Sequence, residues 1–270
     1  MPDPDSESVD VARLVTGHYG GKSLAATIRR ALAENGIDVD HLTVEDLSPL
    51  DQLHAGFAAA TQHVLDQLGV RRGTRLLDVG SGIGGPSRLA AAAGAQVVGV
   101  DLTPEFVQTA TELTDWAGLT GKAEFTLTPA DGLAVPAASF DTAMMIHVGM
   151  NVPDKRALFA EVHRALEPGG RFGVYDQMRV GDGDLPWPLP WAVDERSSFV
   201  QTPDAYAADL VAAGFTVEDT QDRTDAVAGP PPGLTPGVVF GEAFMQRIAN
   251  NVTATRDGLL GAILILARKG

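Results

Sequence analysis

The sequence predicts an α/β fold built on a doubly wound, largely parallel sheet. Short apolar runs alternate with helical stretches from residue 75 to residue 225, which is the pattern of a parallel sheet covered by helices. A glycine-rich turn joins the first apolar run to a helix, as it does at the ligand-binding edge of such sheets. With 270 residues, 44% of them hydrophobic, the chain can bury one large α/β domain or two small ones.

The first 68 residues do not follow this alternation. Residues 1–10 are acidic and polar and predict a disordered N-terminus. Residues 11–68 have helical periodicity, with a capping box predicted at Thr43 and Asp46 and a long helix over residues 57–70. We therefore expect a group of N-terminal helices ahead of an α/β core at residues 69–270.

The core contains apolar runs that predict strands, separated by helical stretches. Gly169 and Gly170 are expected to end the helix that precedes the fifth strand. Further on, a helix over residues 202–215 leads into another run, and the last apolar run is too short to span a membrane and predicts a buried strand. The first five runs are 75–80, 96–103, 124–131, 139–149 and 170–178.

Two insertions interrupt the core, at about residues 182–199 and 226–252, and both are rich in proline. Ligands bind at the carboxyl ends of the strands in open α/β sheets, so we expect the insertions and the N-terminal helices to cover that edge. The large apolar residues of the insertions either line a pocket for an aromatic or isoprenoid-like acceptor, attach the insertions to the core, or form a homodimer contact. They include Trp187, Trp191, Phe240 and Phe244.

Composition excludes several functional classes. The formal net charge is −15, and so acidic a surface repels phosphate backbones, which argues against nucleic acid as a partner. The chain has no cysteine, which excludes disulfides, thiolate nucleophiles and cysteine metal sites. No histidine or carboxylate pattern typical of a metal site occurs, so no metal is expected. The acidic N-terminus is unlike a secretory signal, and no apolar run is long enough to span a bilayer, so a cytoplasmic protein without a membrane partner is expected.

The strongest motif is LLDVGSGIGGPSRLA, residues 76–90, where a predicted strand meets a helix. Asp101 follows Gly80 by 21 residues and ends the next strand, where its carboxylate can accept hydrogen bonds from both ribose hydroxyls. The glycines also satisfy the fingerprint of an NAD-binding fold. Asp78 argues against that alternative, because dinucleotide folds usually place an apolar residue there, whereas a carboxylate can bind the ammonium of an amino-acid cofactor. Asp131, just past the third strand, is well placed to accept the adenine amino group.

The successive segments LLDVGSGIGG, VVGVDLTPEFV, ADGLAVPAASFDTAMMIHV and ALEPGGRF resemble the motifs of class I S-adenosylmethionine-dependent methyltransferases, in order and in spacing, over about residues 60–225. The flanking segments are similar to the bacterial subgroup that includes sarcosine and dimethylglycine N-methyltransferases and natural-product tailoring enzymes. The resemblance implies a Rossmann-like sheet of seven strands with the last one antiparallel, and an N-terminal helical lid. It also implies S-adenosyl-L-methionine as the cofactor and a small organic acceptor, in secondary metabolism, methylated by in-line transfer.

The resemblance also implies the roles of the cofactor-binding residues. The methionine moiety would lie on the glycine turn, near its amino-group partner Asp78, and the ribose would bind Asp101. The adenine would pack on Leu102 and bind near Asp131 and Gly132, while the N-terminal helices would bring Tyr19 and Gln52 to the methionine end. The residues of the turn are Gly80, Ser81, Gly82 and Gly84, and His147 is also expected to contact the cofactor.

Two residues are candidates for catalysis. His147 ends the fourth strand and Asp176 the fifth, so a histidine oriented by a carboxylate would give a general base near the transferred methyl. The alternative is that His147 packs on the cofactor and Asp176 accepts a backbone hydrogen bond. His54 and Met150 are expected at the substrate.

Three other functions compete with methyl transfer. An enzyme on this fold could bind the cofactor and catalyse another reaction, such as a cyclisation, because the cofactor motif would be identical. A dinucleotide oxidoreductase is disfavoured by Asp78, and a noncatalytic binding module by the intact cofactor motif.

Overall fold

The computed structural model describes residues 23–128, 132–226 and 234–270. Tyr19 and Asp131, which the sequence assigns to the cofactor, lie outside these residues, as do residues 1–10. Among the described residues the helices are α1 (Leu24–Glu34), α2 (Val44–Asp51), α3 (Phe57–Leu68), α4 (Gly85–Ala92), α5 (Pro104–Trp116), α6 (Lys155–Ala165), α7 (Pro203–Ala212) and α8 (Gly237–Arg256).

The strands form one seven-stranded sheet in the order β3-β2-β1-β4-β5-β7-β6. Neighbouring strands from β3 to β5 pair in parallel, whereas β7 runs antiparallel to both β5 and β6. The prediction of a doubly wound sheet with an antiparallel last strand is therefore confirmed. The strands are β1 (Arg75–Val79), β2 (Gln96–Asp101), β3 (Ala123–Leu127), β4 (Phe140–Ile146), β5 (Leu166–Arg179), β6 (Phe215–Asp222) and β7 (Leu260–Lys269).

The boundary between α6 and β5 differs from the prediction. The helix ends at Ala165, and Leu166 already has an extended backbone and pairs with Phe140 of β4. Gly169, with a φ of +78°, and Gly170 lie inside β5, where the register with β4 shifts. The glycine pair therefore accommodates an irregularity of the strand and does not end the helix.

Each face of the sheet has its own apolar core. On one face, α6 and α7 pack Phe159 and Tyr206 against residues such as Phe172. On the other face, α3 and α4 cover the sheet, with Leu65 among residues such as Met144. Although α3 belongs to the N-terminal region, it packs directly on the sheet.

The remaining segments gather where the parallel strands end. Helices α1 and α2 pack with the start of α8 around Ile83, which lies in the turn after β1. The segment at residues 182–199 packs on Met150, just after β4, and on Leu260, which pairs with the last residue of β5. The described parts of the N-terminal helices and of both insertions thus contact the carboxyl edge. None of the helices within the described ranges is long and apolar enough to cross a membrane.

Candidate active site

The glycine turn leaves bare backbone at the carboxyl end of β1. Gly80, Gly82 and Gly84 have φ values of +72°, +53° and +85°, in the left-handed region that favours glycine. A side chain at Gly80 would collide with Val148, whereas a Cβ at Gly82 would have no atom of the described residues within 4 Å. Gly82 therefore borders open space that a ligand can enter.

Asp101 lies beside this space and fixes the turn. Its Oδ2 accepts a hydrogen bond from the Gly82 amide at 2.9 Å, and its Oδ1 accepts one from the Thr103 amide at 2.9 Å. Each oxygen keeps a further lone pair for a ligand hydroxyl. Burial raises the pKa of the carboxyl, although the two amides act in the opposite direction. The next side chain, Leu102, is 44% exposed and offers an apolar surface to a planar ring.

Asp78 lies buried beneath the turn. It accepts a hydrogen bond from the Ser87 hydroxyl at 2.6 Å, which attaches β1 to the first turns of α4. Burial raises the pKa of Asp78 to about 7, and the negative charge of Asp101 adds to that rise. The neighbouring Ser81 hydroxyl is buried and has no hydrogen-bond partner among the described residues. A cation close to Asp78 would favour its ionised form.

Beyond the end of β4, two imidazole rings lie beside the phenol of Tyr175, which pairs with Ile146, the last residue of β4. The ring centroid of His147 is 5.8 Å from that of His54 and 5.6 Å from that of Tyr175. The loop before α3 holds these rings, because the Ala55 amide donates to His147 Nε2 at 3.4 Å and the Tyr175 hydroxyl donates to the Ala55 carbonyl at 3.1 Å. The backbone of His147 has a φ of +56°, a strained value for a residue other than glycine.

The polar residues around His54 form a small buried network. His54 Nε2 lies 3.0 Å from Gln52 Oε1 and 2.9 Å from the Thr61 hydroxyl, which itself donates to Gln52. Burial lowers the pKa of His54 to about 4. It also lowers the pKa of His147 well below its usual value, and the nearby His54 adds to that effect. Both rings are therefore neutral at pH 7, and each can take part in hydrogen bonds as an uncharged group.

Among the described residues, the hydrogen bonds of Asp176 go to partners other than His147, with which the sequence predicts it to pair. Asp176 Oδ2 accepts hydrogen bonds from the Gly149 amide at 2.8 Å and from the Tyr206 hydroxyl at 3.1 Å. Side chains alternate along a strand, so Asp176 and Tyr175 face opposite sides of the sheet, and His147 lies with Tyr175. The contacts of Asp176 agree with the alternative hypothesis, in which this residue accepts a backbone hydrogen bond. Burial raises the pKa of Asp176 to about 7.

The large apolar residues of the insertions are mostly buried inside the covering layer. Trp187, Trp191 and Met150 belong to one apolar cluster, where the Trp191 indole donates to Ser198 at 2.9 Å. Phe240 and Phe244 stack at 5.1 Å between ring centroids in the cluster around Ile83. These contacts match the alternative in which such residues attach the insertions to the core.

Gly132, which the sequence assigns to the adenine site, is the first described residue after Asp131. Its carbonyl accepts a hydrogen bond from the Thr128 hydroxyl.

Sequence reasoning missed several residues of this region. Tyr175 had a usable signal, since it precedes Asp176 at the end of a strand. Asp51 and Arg88, which form a buried ion pair at 2.8 Å, and Thr61 gave none, because each meets its partner only after the helices pack.

Comparison with known proteins assigns the region around this site. Residues 77–174 match the family described as "Methyltransferase domain". Residues 77–174 form a methyltransferase domain. Among curated proteins, it is 29% identical over 188 residues to a sterol 24-C-methyltransferase from Aspergillus fumigatus, an alignment that covers 66% of this chain and 50% of the relative. The chain thus spans half the length, or less, of the curated relatives it matches.

Solved structures show the same fold around the methyltransferase domain. The [4+2]-cyclase SpnF superposes with a TM-score of 0.64 at 22% identity, covering 91% of this chain and 93% of the other. A geranyl diphosphate C-methyltransferase from Streptomyces coelicolor, in complex with Mg²⁺, geranyl diphosphate and S-adenosyl-L-homocysteine, superposes with a TM-score of 0.63 at 18% identity, covering 93% of this chain and 99% of the other. At these identities the similarity shows the fold.

Proposed function

We propose that this protein is an S-adenosylmethionine-dependent methyltransferase that modifies a small organic molecule. One observation carries the proposal: within a methyltransferase domain, the open backbone at Gly82 is held by Asp101, the acidic residue that ends the next strand. The carboxylate and the glycine turn therefore border the same space, as a nucleoside with an amino-acid tail requires.

The residues around this space fit S-adenosylmethionine. The turn at residues 80–84 offers backbone to the methionine moiety, Asp101 offers acceptors to the ribose, and the exposed Leu102 offers a surface to the adenine. The Ser81 hydroxyl, which has no hydrogen-bond partner in the described part of the chain, and the buried Asp78 lie at the turn, where the polar end of the methionine moiety would need them. When bound, the sulfonium supplies an activated methyl group, so the protein has to orient the acceptor and exclude water.

The acceptor would approach from the side of His147 and His54. Their neutral rings can hold an acceptor hydroxyl or amine by a hydrogen bond, and α1, α2 and the insertions cover the same edge and limit access of water. The relatives support an organic acceptor, since one is a sterol methyltransferase and one acts on geranyl diphosphate. A role in secondary metabolism belongs to this proposal, and the cytoplasmic location and homodimer remain predictions from the sequence.

A second function has a specific observation in its favour. The cyclase SpnF shares the fold over nine-tenths of both chains, so an enzyme of this shape need not transfer methyl. The two functions differ in the product, because methyl transfer adds one methyl group to the acceptor and cyclisation leaves its mass unchanged.

Two measurements test the proposal. Calorimetry should show that S-adenosyl-L-homocysteine binds and that NAD does not, and tight binding of NAD alone would exclude the proposed cofactor. Incubation with candidate metabolites and cofactor labelled in its methyl group should then yield a labelled product. A product of unchanged mass, formed only when the cofactor is present, would instead support the cyclase.

A further inference from the structure

A buried ion pair joins the N-terminal helices to the glycine turn. Arg88, in α4, and Asp51, the last residue of α2, meet at 2.8 Å, and their side chains are 0% and 1% exposed. Replacing a buried pair of this kind by apolar residues is often neutral or stabilising, so stability alone does not explain its presence.

The Arg88 guanidinium also reaches the turn itself. Nη2 donates to the Ile83 carbonyl at 2.6 Å, within the turn, as well as to Asp51. Nη1 donates to the Ala110 carbonyl at 3.2 Å and to the Thr114 hydroxyl at 3.1 Å, both in α5, the helix that follows Asp101. One planar group thus holds α2, the turn and α5 in a fixed arrangement.

The residues where α2, the glycine turn and α4 meet are closely packed. A Cβ at Gly84 would lie 2.7 Å from Arg88 Nη1, and one at Gly85 would collide with the Asp51 carbonyl. Movement of α2 would therefore displace the partners of the turn. The chain continues from Asp51 to Ala55, whose amide donates a hydrogen bond to His147. A shift of α2 would therefore also move the backbone that contacts His147, on the opposite side of the site.

We propose that Asp51 and Arg88 are positioning residues that couple docking of α2 to the conformation of the glycine turn, so that cofactor binding and docking of this helix strengthen each other. The inference rests on the proposed function, since it takes the turn to be the cofactor site. Coupling of this kind is reciprocal, so bound cofactor must stabilise α2 as much as docked α2 favours the cofactor.

The test uses S-adenosyl-L-homocysteine as the probe. Asp51→Asn and Arg88→Lys should each lower its affinity about tenfold, the size expected for losing one hydrogen bond to a charged group. In the parent protein the probe should slow hydrogen exchange across residues 44–50, none of which we place in the cofactor site. In both variants that slowing should be smaller. Asp141→Asn, which breaks the half-exposed pair with Arg75 at the other edge, is the matched control and should leave affinity and exchange unchanged.

A double variant separates positioning from stability. Asp51→Leu combined with Arg88→Met removes both charges, so it should recover much of the melting temperature lost in the single variants while its affinity for the probe stays low. Recovery of affinity together with stability would overturn the inference, as would single variants that bind the probe like the parent. Unchanged exchange at residues 44–50 on binding would also overturn it. Failure of the parent protein to bind the probe would overturn the proposed function, and this inference with it.

Discussion

At the scale of single residues, Asp101 serves both the protein and the proposed ligand. Its carboxylate accepts from the amides of Gly82 and Thr103, and the same oxygens are available to ribose hydroxyls. Removal of this side chain therefore acts twice, by deleting the contacts to ribose and by releasing the amide of the turn.

We predict that Asp101→Ala lowers affinity for S-adenosyl-L-homocysteine by about 2–4 kcal/mol, because two hydrogen bonds to a charged acceptor are lost. Calorimetry on the folded variant measures the change, with circular dichroism as the control for folding. A folded variant that binds like the parent would show that the ribose lies elsewhere.

The sequence predicts a general base in which a carboxylate orients His147, but Asp176, the predicted carboxylate, bonds instead to Gly149 and Tyr206. A buried imidazole without such a partner resists protonation, and the low pKa values of both rings express that resistance. We propose that the two rings hold the acceptor as neutral groups.

We predict that His147→Ala lowers turnover by about tenfold, the size of one lost hydrogen bond to the acceptor, with little change in cofactor affinity. The effect of His54→Ala should be non-additive with it, because the rings act together, whereas Asp176→Asn should behave independently. A double-mutant cycle on turnover, measured with an identified acceptor, tests this coupling. Near-normal rates in both histidine variants would show that neither ring contributes to catalysis and that other residues position the acceptor.

At the scale of elements, the glycines of the turn between β1 and α4 share a residue type but differ in their surroundings, and the surroundings decide whether a glycine can border a ligand. Gly80 and Gly82 both have positive φ, but only Gly80 is enclosed, by Val148. Gly73, ahead of β1 at the opposite end of the strand, has a φ of +85°, and a Cβ there would also have no described atom within 4 Å.

We predict that Gly82→Ala and Gly73→Ala each cost about 1–2 kcal/mol of stability, the penalty of a left-handed backbone for a residue with a Cβ. Only Gly82→Ala should also weaken binding of S-adenosyl-L-homocysteine, because its methyl group enters the proposed cofactor space. Thermal unfolding and calorimetry on the pair measure the two effects separately. Equal affinities in the two variants would place the cofactor away from Gly82.

At the scale of the whole molecule, buried carboxyls make stability depend on pH. Asp176 is fully buried, and its folded pKa of about 7 lies above its ordinary value of 3.8 because burial disfavours its charge. The protonated form thus favours folding, and this contribution is complete below pH 3.8 and is lost as the pH rises through 7.

We predict that Asp176→Asn reduces the loss of stability between pH 4 and pH 8 by on the order of a few kcal/mol, since the amide does not ionise. Denaturant unfolding of parent and variant at several pH values gives the difference, which should grow as the pH rises. The exposed Asp66→Asn serves as the control and should change nothing. A difference that is constant with pH would mean that Asp176 ionises normally.

The sequence by itself determined those features that depend on residues close to one another along the chain. The alternation of apolar runs, the glycine turn and the position of Asp101 at a strand end follow from patterns within about 30 residues, because backbone geometry links these patterns to strands, helices and the turns between them. The tertiary structure decided which side chains meet across that distance. His147 contacts a loop 92 residues away, and Asp176 faces the other side of the sheet because one step along β5 reverses the side chain. The Asp51–Arg88 pair likewise depends on how α2 packs against α4, which no spacing along the chain encodes.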